Sequence, residues 1–197
     1  MRSLSFLNLK KYLKYFNFPV TEIFVETGTH RGGTIFKLCK KFTKLFTIEL
    51  CENSYNYCKK YAYNNNINNI NFYNGQSQDL LKNIIVDQLN NYDKCIFFLD
   101  AHVTGKKRKD TAVGEIDVPV CLELEIISKY FNNEAIIIVD DARCFSKKNM
   151  GDADWSNINH ETIVNSIKDR SYDFKYFNSE NNRNKNDRLI IHLKKIN

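Results

Sequence analysis

Short apolar runs alternate with segments of helical spacing along most of the chain, and that alternation predicts its architecture. Residues 23–26, 45–49, 70–73, 95–99 and 135–139 each read as a short buried strand bounded by polar or glycine-containing turns. Between them, residues 34–41, 52–63, 78–89 and 120–130 read as helices; in the last, Leu122, Ile126, Ile127 and Tyr130 recur at helical intervals. Strand and helix in alternation predict βαβ units and an α/β fold, a mostly parallel sheet with helices on both faces. The pattern changes near the end. After a helix over 158–167, residues 172–177 and 189–193 read as consecutive strands joined by an Asn/Arg/Lys-rich loop, an antiparallel finish to a mixed sheet. Residues 1–20 alternate aromatic side chains with Lys10, Lys11 and Lys14 and read as a short amphipathic helical lead-in.

Composition adds limits. With 197 residues, 43% of them hydrophobic and 26% charged, residues 1–197 fit one domain with a sizeable core. No apolar run approaches the roughly 20 residues that span a bilayer, and residues 1–20 lack a continuous apolar signal core, so a soluble, cytoplasmic protein is expected. The formal charge of +6 would favour anionic ligands, but a solvated lysine-rich surface is the better account of it. The six cysteines form no C-x-x-C pair and several fall inside apolar segments, which favours buried reduced thiols over disulfides or zinc. The asparagine-rich stretches 64–71 and 178–186 read as loops.

The chemistry concentrates at strand ends. Glu26, Glu49, Asp100 and the pair Asp140-Asp141 each close an apolar run, and acids at successive strand ends gather on one rim of a parallel sheet, where open α/β folds bind ligands. Glu26-Thr27-Gly28-Thr29-His30-Arg31-Gly32-Gly33 forms a strand–turn–helix junction whose glycines admit a ligand close to the backbone; it is not the G-x-G-x-x-G fingerprint. Glu49, at the next strand end, is placed to accept both hydroxyls of a ribose. Gly75-Gln76-Ser77 follows the third strand, where side chains reach an adenine edge or form a plain turn; Asp79 caps the next helix or is solvated.

In this order, the residues resemble the class I S-adenosylmethionine-dependent methyltransferases over roughly residues 21–193. Glu26 to Gly33 is similar to their first motif, though it departs from the commoner E/D-x-G-x-G-x-G; Glu49 matches their ribose acid, Gly75-Gln76-Ser77 their adenine-side turn, and Phe98-Leu99-Asp100-Ala101-His102 their fourth-strand motif. The resemblance implies a Rossmann-like sheet of seven strands with a terminal antiparallel hairpin. It also implies cofactor contacts from Glu26, Thr27, Gly28, Thr29, Gly33, Thr34, Glu49, Gln76, Ser77 and Asp100. At the catalytic end, Asp100 followed by Asp140-Asp141 resembles the metal-binding carboxylates of small-molecule O-methyltransferases, including sugar-modifying members of the macrocin type. Residues 97–102, Cys121-Leu122-Glu123-Leu124-Glu125 and 138–143 are similar to polysaccharide-locus methyltransferases. The stretch between Asp100 and Asp140 is longer than in the compact metal-dependent enzymes.

These resemblances imply methyl transfer to a hydroxyl of a small acceptor, a sugar or nucleotide-sugar, assisted by a divalent cation such as Mg²⁺ on Asp100, Asp140 and Asp141. Without a cation the crowded acids raise one another's pKa, which makes Asp100 a natural base with His102 as its rival. Asp140-Asp141 could instead cap the following helix or pair with Arg143, and His30 reads as positional. Residues 103–118, containing Lys106-Lys107-Arg108-Lys109, Gly105 and Gly114, read as a lid, a phosphate-binding surface or a solvated loop. Glu123 and Glu125 face opposite ways on their helix, so at most one points to the rim. An RNA methyltransferase and a cofactor-binding module without activity are the alternatives; the acid-rich rim disfavours a nucleic-acid partner, and the choice between monomer and homodimer stays open.

Overall fold

Four of the five parallel strands are buried on both faces, which is why they read as continuous apolar runs, while the parallel strand at the sheet edge is only half-buried. In the computed structural model, which describes residues 3–105, 108–148, 150, 152–179 and 183–196, seven strands form one sheet in the order β3-β2-β1-β4-β5-β7-β6. The strands are β1 (Ile23–Thr27), β2 (Lys44–Glu49), β3 (Ile70–Asn74), β4 (Lys94–Leu99), β5 (Glu134–Val139), β6 (Tyr172–Phe177) and β7 (Arg188–Leu193). The first five run parallel; β7 is antiparallel to both β5 and β6. The helices are α1 (Phe6–Tyr15), α2 (Ile35–Leu38), α3 (Glu52–Asn64), α4 (Ser77–Ile84), α5 (Val120–Tyr130) and α6 (His160–Asn165).

Alternate residues of each strand feed two cores. Phe46, Phe97, Ile137 and Ile191 pack with Leu81 of α4 and with Leu124 and Ile127 of α5. Phe24, Leu45, Phe98 and Ile138 pack on the other face with Leu9 and Leu13 of α1 and with Ile35 and Leu38 of α2. The lead-in segment is therefore part of the core. Ser5 caps α1 by accepting from the Asn8 N–H, and the Leu4 N–H donates to Thr34 Oγ1 at 2.9 Å.

Three helices differ from the pattern in the sequence. The segment expected over 34–41 is α-helical only through α2 and tightens into a 3₁₀ turn, Cys39–Lys41, before β2 begins. The segment over 78–89 continues past α4 as a π-helical turn, Ile85–Leu89. The helix expected from 158 starts at His160 because Asn159 and Thr162 form a capping box, with the Asn159 Oδ1 accepting from Thr162 N–H and the Thr162 Oγ1 accepting from Asn159 N–H, both at 3.0 Å. No helix is long and apolar enough to cross a membrane among the described residues. All six cysteines are free. Of the basic run in residues 103–118, Lys106 and Lys107 lie outside the described residues.

Candidate active site

Because β1, β2, β4 and β5 run parallel, Glu49, Asp100, Asp140 and Asp141 leave the sheet on the same rim. The turn after β1 is drawn tightly against β4. Gly28 sits at φ +80°, its N–H donates to Ile48 O at 2.9 Å, and a Cβ built there would lie 2.4 Å from the Asp100 carbonyl oxygen. Only glycine fits, since both the backbone conformation and the backbone contact exclude a side chain. Gly28→Ala is expected to lower unfolding free energy by about 2 kcal/mol, read from the urea midpoint at unchanged slope.

Glu49 is fixed by two backbone donors. Its Oε2 accepts from the His30 N–H at 2.6 Å and its Oε1 from the Cys51 N–H at 2.7 Å. Burial raises its pKa, and these two amides oppose the rise. Gly28, Glu49, Gln76, Ser77, Asp100 and His102 all line one cleft, together with Thr104, Asp110, Thr111, Gly114 and Ile116 of the loop after β4.

The other residues expected at the cofactor do not line that cleft. Glu26 is 2% exposed behind the turn, where it accepts from Thr47 Oγ1 at 2.9 Å. Burial pushes its pKa up to about 8, against the opposing hydrogen bond from Thr47. Thr29 bonds to Thr47, Thr34 holds the Leu4 amide, and Gly33 packs beside Ser3. Thr27 is wholly buried. These positions shape the turn from behind.

The acidic cluster also differs in membership from the expected Asp100, Asp140 and Asp141. His102 stands between two carboxylates, with Nδ1 3.5 Å from Asp100 Oδ1 and Nε2 3.3 Å from Asp141 Oδ2. One ligand atom from each of Asp100, His102 and Asp141 falls within 4.8 Å of the others. Asp140 turns away and accepts from Arg188 Nε at 2.9 Å; strand alternation sends neighbouring side chains to opposite faces, which separates it from Asp141. Asp141 sits in the left-handed region, φ 55°, which a short polar side chain tolerates. Its side chain caps nothing; it pairs with His102 and with Arg143, which also holds Asp187.

Charge is distributed unequally in this cluster. Burial, reinforced by Asp140, Asp141 and Glu26, drives the Asp100 pKa well above the carboxylate range, while Arg188 opposes it. Burial acts on Asp141 in the same sense, but His102 and Arg143 outweigh it and hold that pKa at about 2. Asp100 Oδ1 is buried and makes no hydrogen bond within the protein. An orphaned carboxylate oxygen beside an imidazole and a second carboxylate is a donor set that fits a divalent cation.

Two functional-looking residues, Trp155 and Arg188, escaped the sequence reading, and the structure settles which way Glu123 of α5 faces. Glu123 is wholly buried with neither oxygen hydrogen-bonded; burial pushes its pKa to about 7, opposed by the nearby Ser77 and Thr27 hydroxyls and by His102. Its interval of four from Ile127 placed it on the core face of α5. Trp155 packs its ring 5.2 Å from that of His102, and Arg188 is the cation that claims Asp140. Nothing local in the sequence marks either.

No family model matches the chain, and no curated protein matches it. Among solved structures it is similar to an O-methyltransferase from Bacillus cereus in complex with SAH, with TM-score 0.62 and 15% identity over 98% of this chain and 83% of that one. It is similar to the O-methyltransferase TomG from Streptomyces achromogenes, involved in tomaymycin synthesis and in complex with SAM, with TM-score 0.60 and 12% identity over 96% and 89% of the two chains. The cofactor-bound Rv0187 from MTB gives TM-score 0.66 and 10% identity over 98% and 83%. At such identities the likeness is one of fold: this chain has the Rossmann-like, seven-stranded methyltransferase architecture with its terminal antiparallel hairpin.

Proposed function

We propose that the chain is an S-adenosylmethionine-dependent O-methyltransferase that methylates a hydroxyl of a small, soluble acceptor, a sugar or nucleotide-sugar, in the cytoplasm. The observation that carries this reading is the shared cleft: Glu49, immobilised by two backbone amides, faces the same space as Asp100 and His102. Glu49 holds the ribose of the donor, and Gln76 and Ser77 bound its adenine side. Solved proteins of this fold carry SAM or SAH, which supports the cofactor assignment.

The reaction needs an acceptor hydroxyl aligned with the sulfonium methyl and relieved of its proton. As the acceptor oxygen bonds to the methyl carbon, the carbon–sulfur bond breaks, leaving a neutral thioether, and the hydroxyl proton passes to the Asp100–His102 pair. Asp141, ionised and beside His102 Nε2, stabilises the imidazolium once it carries that proton. Asp100, His102 and Asp141 are also the residues that would hold a divalent cation, and with one bound His102 would serve as a ligand instead of taking the proton. Bound there, the cation would act as a Lewis acid on the acceptor oxygen. The sugar assignment rests on the resemblance of residues 97–102 and 138–143 to sugar and polysaccharide-locus enzymes. An RNA acceptor is disfavoured, since the acidic rim repels phosphates and Arg108 is already paired with Asp110.

Asp141→Asn is expected to cut methyl transfer about a hundredfold while leaving SAH affinity within roughly twofold. Isothermal titration and a labelled-methyl assay across glycan, nucleotide-sugar and RNA acceptors check both halves. Undiminished turnover in the variant refutes the assignment of the cluster.

A further inference from the structure

We infer that residues 108–117 form the outer wall of the cofactor site and that Asp110 is the positioning residue that straps this wall across the cleft. The inference rests on the reading of the cleft as an adenosyl site. One end of the strap is tied to the first turn and to α3. The Asp110 carboxylate accepts from His30 Nε2 at 3.2 Å and from Arg31 Nε at 3.1 Å, and within the strap from Arg108 at 2.9 Å. The Asp110 carbonyl accepts from Ser54 Oγ at 2.8 Å, and the Lys109 carbonyl from Asn53 Nδ2 at 3.0 Å. The other end is tied to the turn after β3, where the Glu115 N–H donates to Gln76 Oε1 at 2.8 Å. Gly114 permits that approach, because a Cβ there would already stand 3.0 Å from the same oxygen.

At each end one anchor, His30 or Gln76, also lines the cleft. His30 joins the two sides directly: its ring holds Asp110 and its N–H holds Glu49. Displacing the strap therefore frees the His30 ring and removes the wall over the ribose and adenine together. The ties suit a closure that must also release product. Arg31, the charged tie from outside the strap, is 67% exposed, so its attraction for Asp110 is screened by salt. Arg108 and His30 hold the Asp110 carboxyl below the usual carboxylate range.

The test uses the full chain, with SAH as the probe. Asp110→Asn is expected to raise the SAH Kd about tenfold, chiefly through faster dissociation in stopped-flow displacement. It should leave kcat at saturating cofactor unreduced, so that the defect appears in the cofactor KM. Ser54→Ala, which removes a tie to the strap backbone, should shift dissociation in the same direction by a smaller factor. Raising the salt to about 0.5 M should narrow the gap between wild type and Asp110→Asn. Unchanged SAH Kd and dissociation rate in both variants overturn the strap. Failure of the wild type itself to bind SAH overturns the underlying cofactor reading instead.

Discussion

Arg188→Met is expected to cost the folded protein about 3–5 kcal/mol, the usual penalty for stripping one partner from a buried ion pair. Arg188 is 1% exposed at the start of β7. Its Nε donates to Asp140, its guanidinium lies 5.7 Å from the Phe98 ring centroid, and Nη1 approaches the Tyr12 hydroxyl of α1 at 3.5 Å. Methionine fills much of the same space but leaves the Asp140 carboxyl with no cation in a site that is 5% exposed. Burial raises the Asp140 pKa, and Arg188 opposes that rise. Without Arg188 the acid takes up a proton on folding, so the loss should be greater at pH 8 than at pH 5. The double variant Asp140→Asn/Arg188→Met should regain most of the stability, since an amide carries no charge to leave unpaired. Urea unfolding at both pH values measures this. A loss below about 1 kcal/mol in the single variant would show that the pair is not what makes Asp140 tolerable in the core.

The same pair shows where sequence reasoning stopped. β1, β2, β4 and β5 were legible because burial on both faces turns each into an apolar run, and β6 and β7 were legible because no helical segment intervenes between them. The rim was legible because parallel strands carry their end residues to one side. What a one-dimensional pattern does not encode is the direction in which each rim side chain then turns. Asp140 and Asp141 are adjacent in sequence, yet Asp140 faces Arg188, 48 residues on, while Asp141 faces His102. The choice depends on strand alternation, on the left-handed backbone at Asp141 and on a cation from a distant strand. Glu26 is a similar case. It stands at the head of the first turn in the sequence, but alternation along β1 points it behind that turn, towards Thr47 and Thr34, instead of into the cleft. Residues 108–117 were open to several readings because their backbone bonds go to α3 and to the turn after β3, contacts that leave no periodic trace.

Glu26→Gln is expected to stabilise the ligand-free protein at pH 8 by about 4 kcal/mol while changing little at pH 5. The folded pKa is about 8 against an ordinary value of 4.5, so between those values the folded state binds a proton that the unfolded state has lost. Stability attributable to Glu26 is therefore fully present below pH 4.5 and is lost as pH rises towards 8. Glutamine mimics the protonated acid at every pH and can still accept from Thr47. Glu123, whose pKa is pushed to about 7, titrates with the same sign, so the variant's pH slope should shrink without vanishing. Denaturant titrations from pH 5 to pH 8.5 check the slope; parallel curves for variant and wild type would place an ionised Glu26 in the folded protein. An acid that weakens the empty fold across the neutral range, one turn of backbone away from the cleft, is better suited to a cationic ligand than to an empty site. S-adenosylmethionine, the donor proposed above, carries a sulfonium charge that SAH lacks, and such a charge would favour the ionised form of Glu26. At pH 7 the methylated donor should consequently raise the wild-type Tm by more than SAH does, and Glu26→Gln should bring the two ligands' effects together.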